Sequence, residues 1–275
     1  MTPAEIQEVM LRLRRESRHN LLLLDIVADM EDGQVHGFSG PEIVVARTGE
    51  TIVGVASLRP SMILDAEMGS EGLDAVLPFL SNMDTGLIKS LAHVVDPLWE
   101  SLRARGRRSL LDRYEECHVL EASHAPAGFP DYPPGARLRR ANPGDLEALV
   151  FAARSSLREE DRQDPFDGDP QGFRRWVEGR IGQARLLEVA GRPVFVGYAD
   201  VRRPEGWLFQ GVYTWPDQRR RGYGRAGMLG MVQEAIVAGA EHVQLAVVEG
   251  NLPALALYRS LGFEPFSRLR TLLFR

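Results

Sequence analysis

The chain has 275 residues, 44% apolar and 26% charged, enough to bury one large core or two of ordinary size. Its formal net charge of −5 argues against general nucleic-acid binding, which needs a basic footprint. Cys117 is the one cysteine, so an intramolecular disulfide is excluded and a reducing cytoplasm fits.

The N-terminal twenty residues carry charges throughout, and no secretory signal is expected. Helical spacing of Ile6, Val9, Met10 and Leu13, then the run Leu21–Met30, predicts helix over 3–30. The apolar stretch Leu21–Val27 contains Asp25 and is too short to cross a bilayer, so no membrane partner is expected. Gly33, Gly37 and Gly40 mark a loop. Glu42–Arg47 and Thr51–Leu58 read as a hairpin joined by Thr48, Gly49 and Glu50, with Met62–Asp65 as a third strand. Gly72–Leu80 reads as helix and Gly86–Ser90 as strand. Asp96–Arg105 reads as helix, with Asp96 at the N-cap and Pro97 at the first helical position. Ser109–Glu121 is a long strand closing this half.

The segment His124–Gly135 is rich in Pro and Gly and reads as a domain boundary, giving domains 1–125 and 136–275 around a linker at 126–135. Beyond it, Arg137–Arg140 is a strand, and Asn142 and Asp145 open a helix reaching about Ala153. The polar stretch Arg158–Pro170 is a loop and Gln171–Gln183 a helix. Arg185–Ala190 and Val194–Val201 form a hairpin, followed by strand Trp207–Thr214. Helix Arg225–Ala238, strand His242–Val248, helix Pro253–Leu261 and strand Glu264–Phe274 complete the chain. Each half has helices, a hairpin, a later strand, a helix ending in Gly106 or Gly262, and a long closing strand. That order is consistent with duplication of one α/β unit, or with two unrelated mixed domains alike at this coarse level.

The stretch most suggestive of chemistry is Val212–Gly227. A β-rich run is broken by Pro216, passes through Arg219, Arg220 and Arg221, and enters a glycine-spaced turn opening a helix. Backbone N–H groups at a helix N-terminus, with glycines for close approach and cations beside them, make an anion site. Gly222-Tyr223-Gly224-Arg225-Ala226-Gly227 matches G-x-G-x-x-G, and Glu249 ends the next strand, so a dinucleotide fingerprint is one reading. Against it, Trp215–Arg221 separate the strand from the first glycine, the acid comes late, and the strand belongs to hairpins rather than a βαβ crossover. No Gly-Lys-Ser/Thr follows, which excludes a Walker-type loop.

Arg219-x-x-Gly222-x-Gly224 resembles the Arg/Gln-x-x-Gly-x-Gly/Ala signature of GNAT-type N-acetyltransferases, and Asn251-x-x-Ala254-x-x-x-Tyr258-x-x-x-Gly262-Phe263 resembles their second signature. The resemblance covers about residues 135–275 and implies an α/β fold of mixed sheet: two tandem GNAT-like domains, each a twisted, mostly antiparallel sheet flanked by helices. It implies acetyl-CoA as co-substrate, with the pyrophosphate on the loop of Arg219, Arg220, Arg221, Gly222, Tyr223, Gly224 and Arg225. The pantetheine arm would pair with the exposed backbone of Val212, Tyr213 and Thr214, where an N–H would also stabilise the oxyanion. Tyr258 falls where the family carries its general acid; its other reading is a ring packed on the core. Asn251 either contacts CoA or caps the helix that Pro253 begins.

The acceptor expected is a primary amine attacking the thioester directly in a ternary complex. The family's strand glutamate is missing, since Leu208 or a neighbour occupies its place, and Glu205, Asp200 and Gln210 are merely nearby. The acidic set Glu159, Glu160, Asp161, Asp164, Asp167 and Asp169 reads as a solvated loop or, more sharply, as an attractor of a cationic amine. In the first half Glu67-Met68-Gly69-Ser70-Glu71-Gly72 has the wrong sign for pyrophosphate, and Leu102 stands where Tyr258 would align, so that half reads as a degenerate copy. The six histidines show no metal-ligand spacing, no G-x-S-x-G occurs, and Cys117 reads as core. A non-catalytic acyl-CoA-binding module and an NAD(P)-dependent oxidoreductase are the alternatives. A monomer or a homodimer fits equally.

Overall fold

The computed structural model describes residues 1–31, 41–59, 61–128, 130–160 and 164–275. The first half runs α1 (Pro3–Leu13), α2 (Leu21–Glu31), β1 (Glu42–Thr48), β2 (Thr51–Arg59), β3 (Ile63–Leu64), α3 (Ser70–Ser81), β4 (Gly86–Leu91), α4 (Ala92–Ala104) and β5 (Ser109–Glu121). The second runs β6 (Ala136–Arg140), α5 (Leu146–Glu159), α6 (Pro170–Glu178), β7 (Ala184–Val189), β8 (Arg192–Arg203), β9 (Gly206–Thr214), α7 (Tyr223–Val237), β10 (His242–Val248), α8 (Leu252–Ser260) and β11 (Glu264–Phe274).

Most elements fall where periodicity predicts them, and the exceptions have physical causes. The expected helix over 3–30 is two helices, with a 3₁₀ turn at Arg14–Glu16 between them. The glycine loop expected around Gly33, Gly37 and Gly40 lies outside the described residues. α4 begins at Ala92 rather than at Asp96, and Pro97 sits inside it. Val94, Val95, Leu98, Trp99 and Leu102 form one buried stripe, and burying it outweighs one missing backbone bond. Asp96 is not a cap; it accepts from Arg270 at 3.0 Å. α5 continues past Ala153 to Glu159, because Leu149, Val150, Ala153 and Leu157 extend its apolar face. α6 stops at Glu178, and Ile181–Gln183 is a separate 3₁₀ turn.

Chain order and compact units do not coincide. One unit is Met1–His118 with Ala246–Asn251 and Pro265–Arg275; the other is Val119–Leu245 with Leu252–Glu264. The sequence division at 1–125 and 136–275 places β11 with the second domain, whereas most of that strand belongs to the first unit. There it pairs antiparallel with β4, from Leu269↔Leu91 to Phe274↔Gly86. A strand's alternation says which face is buried but not which edge it joins.

In the first unit, β1 and β2 pair antiparallel, β2 pairs antiparallel with β3, and Met62 bridges in parallel to Ile88. A cluster around Leu80, Val95, Leu98, Trp99 and Phe274 forms its larger core. The same unit also holds a buried charge. Glu115 of β5 accepts from Lys89 Nζ at 2.8 Å and from the Thr271 hydroxyl at 2.6 Å, with Arg113 at 3.3 Å. Burial by itself would raise the Glu115 carboxyl; Lys89, Thr271 and Arg113 outweigh it and hold the pKa at about 2. Burial pushes the Cys117 thiol up to about 12, the behaviour of a core residue rather than a nucleophile.

In the second unit, β6, β7, β8 and β9 pair antiparallel in that order, and β10 adds to β9 in parallel. Side chains alternate along β8, so its two faces serve different helices. Val196 and Tyr198 pack with Leu149 and Val150 of α5 and Phe173 and Val177 of α6. Phe195 and Gly197 meet α7, where close approach depends on glycine. A Cβ on Gly227 would come 2.3 Å from Phe195, and one on Gly197 would come 2.7 Å from the Met231 sulfur. Arg185 of β7, almost wholly buried, clamps α7 through two bonds to Glu234, at 2.6 and 2.5 Å.

The Glu115 site makes a pH prediction. A carboxyl depressed from its ordinary 4.5 to about 2 contributes stability that is complete above pH 4.5 and lost as pH falls toward 2. Its share is about 3 kcal/mol. Urea unfolding at a series of pH values should show Glu115→Gln less stable at neutral pH and less acid-sensitive between pH 4.5 and 2; parallel pH profiles would refute the assignment.

Candidate active site

The site is built where β9 and β10 part. Their parallel ladder runs from Trp207↔Val243 to Phe209↔Leu245 and stops there. On its other edge β9 carries a bulge. Tyr198 opposes Gln210 and Val196 opposes Tyr213, so Gly211 and Val212 together face the single Gly197. Gly211 has φ +56°, and a Cβ on it would come 2.9 Å from the Tyr198 ring. Such a bulge bends its strand and adds twist. The β9–β10 pairs precede Val212, Tyr213 and Thr214, which follow the bulge.

After Thr214 the chain makes a 3₁₀ turn at Pro216–Gln218, then reverses direction through two left-handed residues, Arg220 at φ +60° and Gly222 at φ +81°. Gly222 is the N-cap of α7 and no side chain caps that end. The first backbone bond of the helix runs from Ala226 N to Gly222 O, at 2.9 Å. The N–H groups of Tyr223, Gly224 and Arg225 therefore stand at an uncapped terminus of a fifteen-residue helix. Gly224 packs closely on Thr214, since a Cβ there would lie 3.1 Å from the Thr214 hydroxyl. Arg220, Arg221 and Arg225 are exposed around this terminus.

Arg219 is placed differently from its neighbours. Its Nε donates to the Thr214 carbonyl at 3.0 Å, and Nη2 donates to both oxygens of Glu159, at 2.7 and 2.8 Å. The Tyr213 hydroxyl also donates to Glu159, at 3.4 Å. Tyr258 is buried in α8, its ring centroid 6.0 Å from that of Phe263. Burial pushes its phenol above the ordinary tyrosine range, and the negative charge of Glu160 pushes it further. The phenol is thus protonated at neutral pH and able to donate. Asn251 directly precedes α8, in the N-cap position, and its own N–H bonds to the Val248 carbonyl at 3.1 Å.

Glu159 and Glu160 are the site residues that sequence reasoning misread. A helix taken to end at Ala153 put them in a loop; the longer α5 carries them to β9 and to Tyr258. The signal was the continued apolar spacing through Leu157. The other acids considered for proton removal are engaged by arginine: Asp200 with Arg180 at 2.5 Å and Glu205 with Arg203 at 3.4 Å. Much of the acidic segment is neutralised as well. Asp164 pairs with Arg154 at 2.7 Å and Arg158 at 3.0 Å, Asp167 pairs with Arg154 at 2.9 Å, and Asp169 caps α6 through Gly172 N at 2.8 Å. Asp161 lies outside the described residues. Among the described residues no group of three or more His, Cys, Asp or Glu could hold a metal, and no helix is long and apolar enough to cross a membrane.

A bulged strand parting from its parallel neighbour, a glycine turn opening an uncapped helix, and a buried tyrosine on the next helix define a GNAT-type fold. Residues 147–263 match the acetyltransferase (GNAT) family, and the chain carries a GNAT domain over that span. A mycothiol acetyltransferase of Saccharomonospora viridis is 33% identical over 173 residues, covering 56% of this chain and 55% of that protein. The chain thus spans about half the length of the curated relatives it matches. Among solved structures, a Drosophila protein aligns over 99% of this chain and 97% of its own, with TM-score 0.72 and 12% identity. A tandem GNAT protein from the clavulanic acid biosynthesis pathway aligns over 91% and 86%, with TM-score 0.55 and 16% identity. At such identities the likeness concerns fold, and the fold is that of two GNAT-like domains in tandem.

The bulge can be tested directly. Gly211→Ala forces a left-handed φ on a residue with a Cβ and drives that Cβ into Tyr198. The expected cost is about 2–3 kcal/mol in denaturant unfolding. A change within about 0.5 kcal/mol would show that the bulge relaxes freely.

Proposed function

We propose that the protein is an acyl-CoA-dependent N-acyltransferase that moves an acetyl or other short acyl group from acetyl-CoA to a primary amine. The observation that carries this reading is the uncapped N-terminus of α7, entered through two left-handed residues at the end of the bulged strand. Pyrophosphate is the ligand fragment suited to that terminus: doubly anionic, compact and able to accept from several N–H groups at once. Arg220, Arg221 and Arg225 add charge around it. The arm of the ligand would lie along Val212–Thr214, on the edge that the end of the β10 ladder leaves open.

Chemistry follows from that placement. The neutral amine attacks the thioester carbonyl, and the carbonyl oxygen becomes an oxyanion stabilised by backbone N–H at the bulge, from Val212. Collapse of the tetrahedral adduct breaks the C–S bond. The leaving thiolate takes the phenolic proton of Tyr258, and the proton lost by the attacking nitrogen passes to solvent. Burial keeps that phenol protonated until needed. Engagement of Asp164, Asp167 and Asp169 within the protein weakens the idea that the acidic segment attracts a cationic amine.

The first unit is read as a degenerate copy with a structural or substrate-shaping role. Met68 fills the space between Gly54 and Gly72 at the start of α3, Glu71 places a carboxylate in that helix's first turn, and Leu102 is fully buried where Tyr258 would align. An acidic first turn repels phosphate. A reducing cytoplasm is the compartment we infer, from a single, buried cysteine.

Tyr258→Phe separates the enzyme from a non-catalytic binding module. Turnover, followed by thiol release over a panel of amines, should fall about 100-fold or more, while acetyl-CoA affinity by calorimetry stays the same. Unchanged turnover removes Tyr258 from the mechanism. Stabilisation by NAD(P) and not by acetyl-CoA overturns the whole reading.

A further inference from the structure

Glu159 joins three parts of the second unit: the end of α5, the end of β9 and the first residue of the glycine turn. Its carboxylate receives Arg219 at 2.7 and 2.8 Å and the Tyr213 hydroxyl at 3.4 Å. Arg219 closes the ring by donating to the Thr214 carbonyl at 3.0 Å, and its guanidinium lies 5.5 Å from the centre of the Tyr213 ring. The pair is nearly half exposed, with side-chain exposures of 42% for Arg219 and 46% for Glu159. Ion pairs in that setting add little to global stability. Its position points to a local role.

The next residue explains which. Arg220 is left-handed, one of two described non-glycine residues with positive φ, the other being Ala190 in a hairpin turn. A residue with a Cβ holds that conformation only where its surroundings impose it. On one side of Arg220 the chain is fixed by α7; on the other it is fixed by the Arg219 side chain, tied to Thr214 and Glu159. Releasing Arg219 frees the turn to relax into an extended or right-handed form, which would re-aim the N–H groups ahead of α7.

We propose that Glu159 is a positioning residue for the cofactor turn. It holds Arg219 on the Thr214 carbonyl, keeps Arg220 left-handed and so pre-forms the anion site, while keeping the Arg219 guanidinium out of the phosphate contacts. This inference rests on the acetyl-CoA reading above and adds a residue that neither signature contains. It also gives the three arginines different roles, with Arg219 building the turn and Arg220 and Arg221 facing the ligand.

Calorimetric titration of the full chain with acetyl-CoA tests it, with thermal unfolding of the ligand-free protein alongside. Glu159→Ala should weaken acetyl-CoA binding about tenfold without lowering the unfolding midpoint, and Glu159→Gln, which still accepts from Arg219, about threefold. Arg220→Gly supplies the discriminating background, because glycine adopts a positive φ without the tie. In that background Glu159→Ala should cost less than about twofold, a coupling that a merely structural role would not produce. Binding by Glu159→Ala equal to or tighter than wild type overturns the inference, as does the same tenfold loss in the Arg220→Gly background. Absence of acetyl-CoA binding by the wild-type chain overturns the acyltransferase reading itself, which makes the two failures distinguishable.

Discussion

Gly211 and Val212 of β9 together oppose Gly197 of β8, and the strand bends there. Much of the site depends on this count of two residues against one. The β10 pairs, ending at Phe209↔Leu245, lie on the N-terminal side of that bend. Only a glycine meets both demands at the first bulge position, a positive φ and a Cα close beneath the Tyr198 ring. Tyr198 is in turn fixed by the core under α5 and α6 and by the Arg180 guanidinium, 4.3 Å from its ring centre. The bulge is thus over-determined from the helical layer beneath it.

The other face of the same sheet sets the helix. Phe195, Gly197 and Arg185 bring α7 close, and Gly227 removes the side chain that would keep it away. With α7 fixed against β7 and β8, its N-terminus is presented beside the end of β9, as the contact between Gly224 and Thr214 shows. A helix end and a strand edge are each weak ligand sites alone. Brought together, they would suit two chemically different stretches of the proposed acyl-CoA, an anionic one and an amide-bearing one.

Charge inside this protein is mostly arginine meeting carboxylate, and the pairs sort by burial. Glu115 with Lys89 and Thr271, and Arg185 with Glu234, are held where water is scarce, so that losing a partner strands the other. Arg219 with Glu159 is a half-exposed pair whose value lies in the geometry it imposes on a strained neighbour. The same residue types serve as core and as scaffold, and exposure decides which.

The linear pattern determined a good deal. Alternation and helical spacing located nearly every strand and helix, and the glycine-spaced turn with the tyrosine signature pointed to one loop and one helix out of many, because those features are local and depend on nearest neighbours. Tertiary structure decided the rest. Apolar spacing runs along α5 as far as Leu157, but that Glu159 at its end meets Arg219 and Tyr213 of another element was not readable from the chain. Three consecutive arginines look equivalent in sequence; only folding shows that Arg219 turns inward to Glu159 while Arg220 bears the left-handed conformation. β11 joined the first unit because edge pairing is a long-range choice that strand alternation does not encode. What depended on neighbours in the chain was readable from residues; what depended on neighbours in space, including the pairing of Glu159 with Arg219 of the glycine turn, had to be seen.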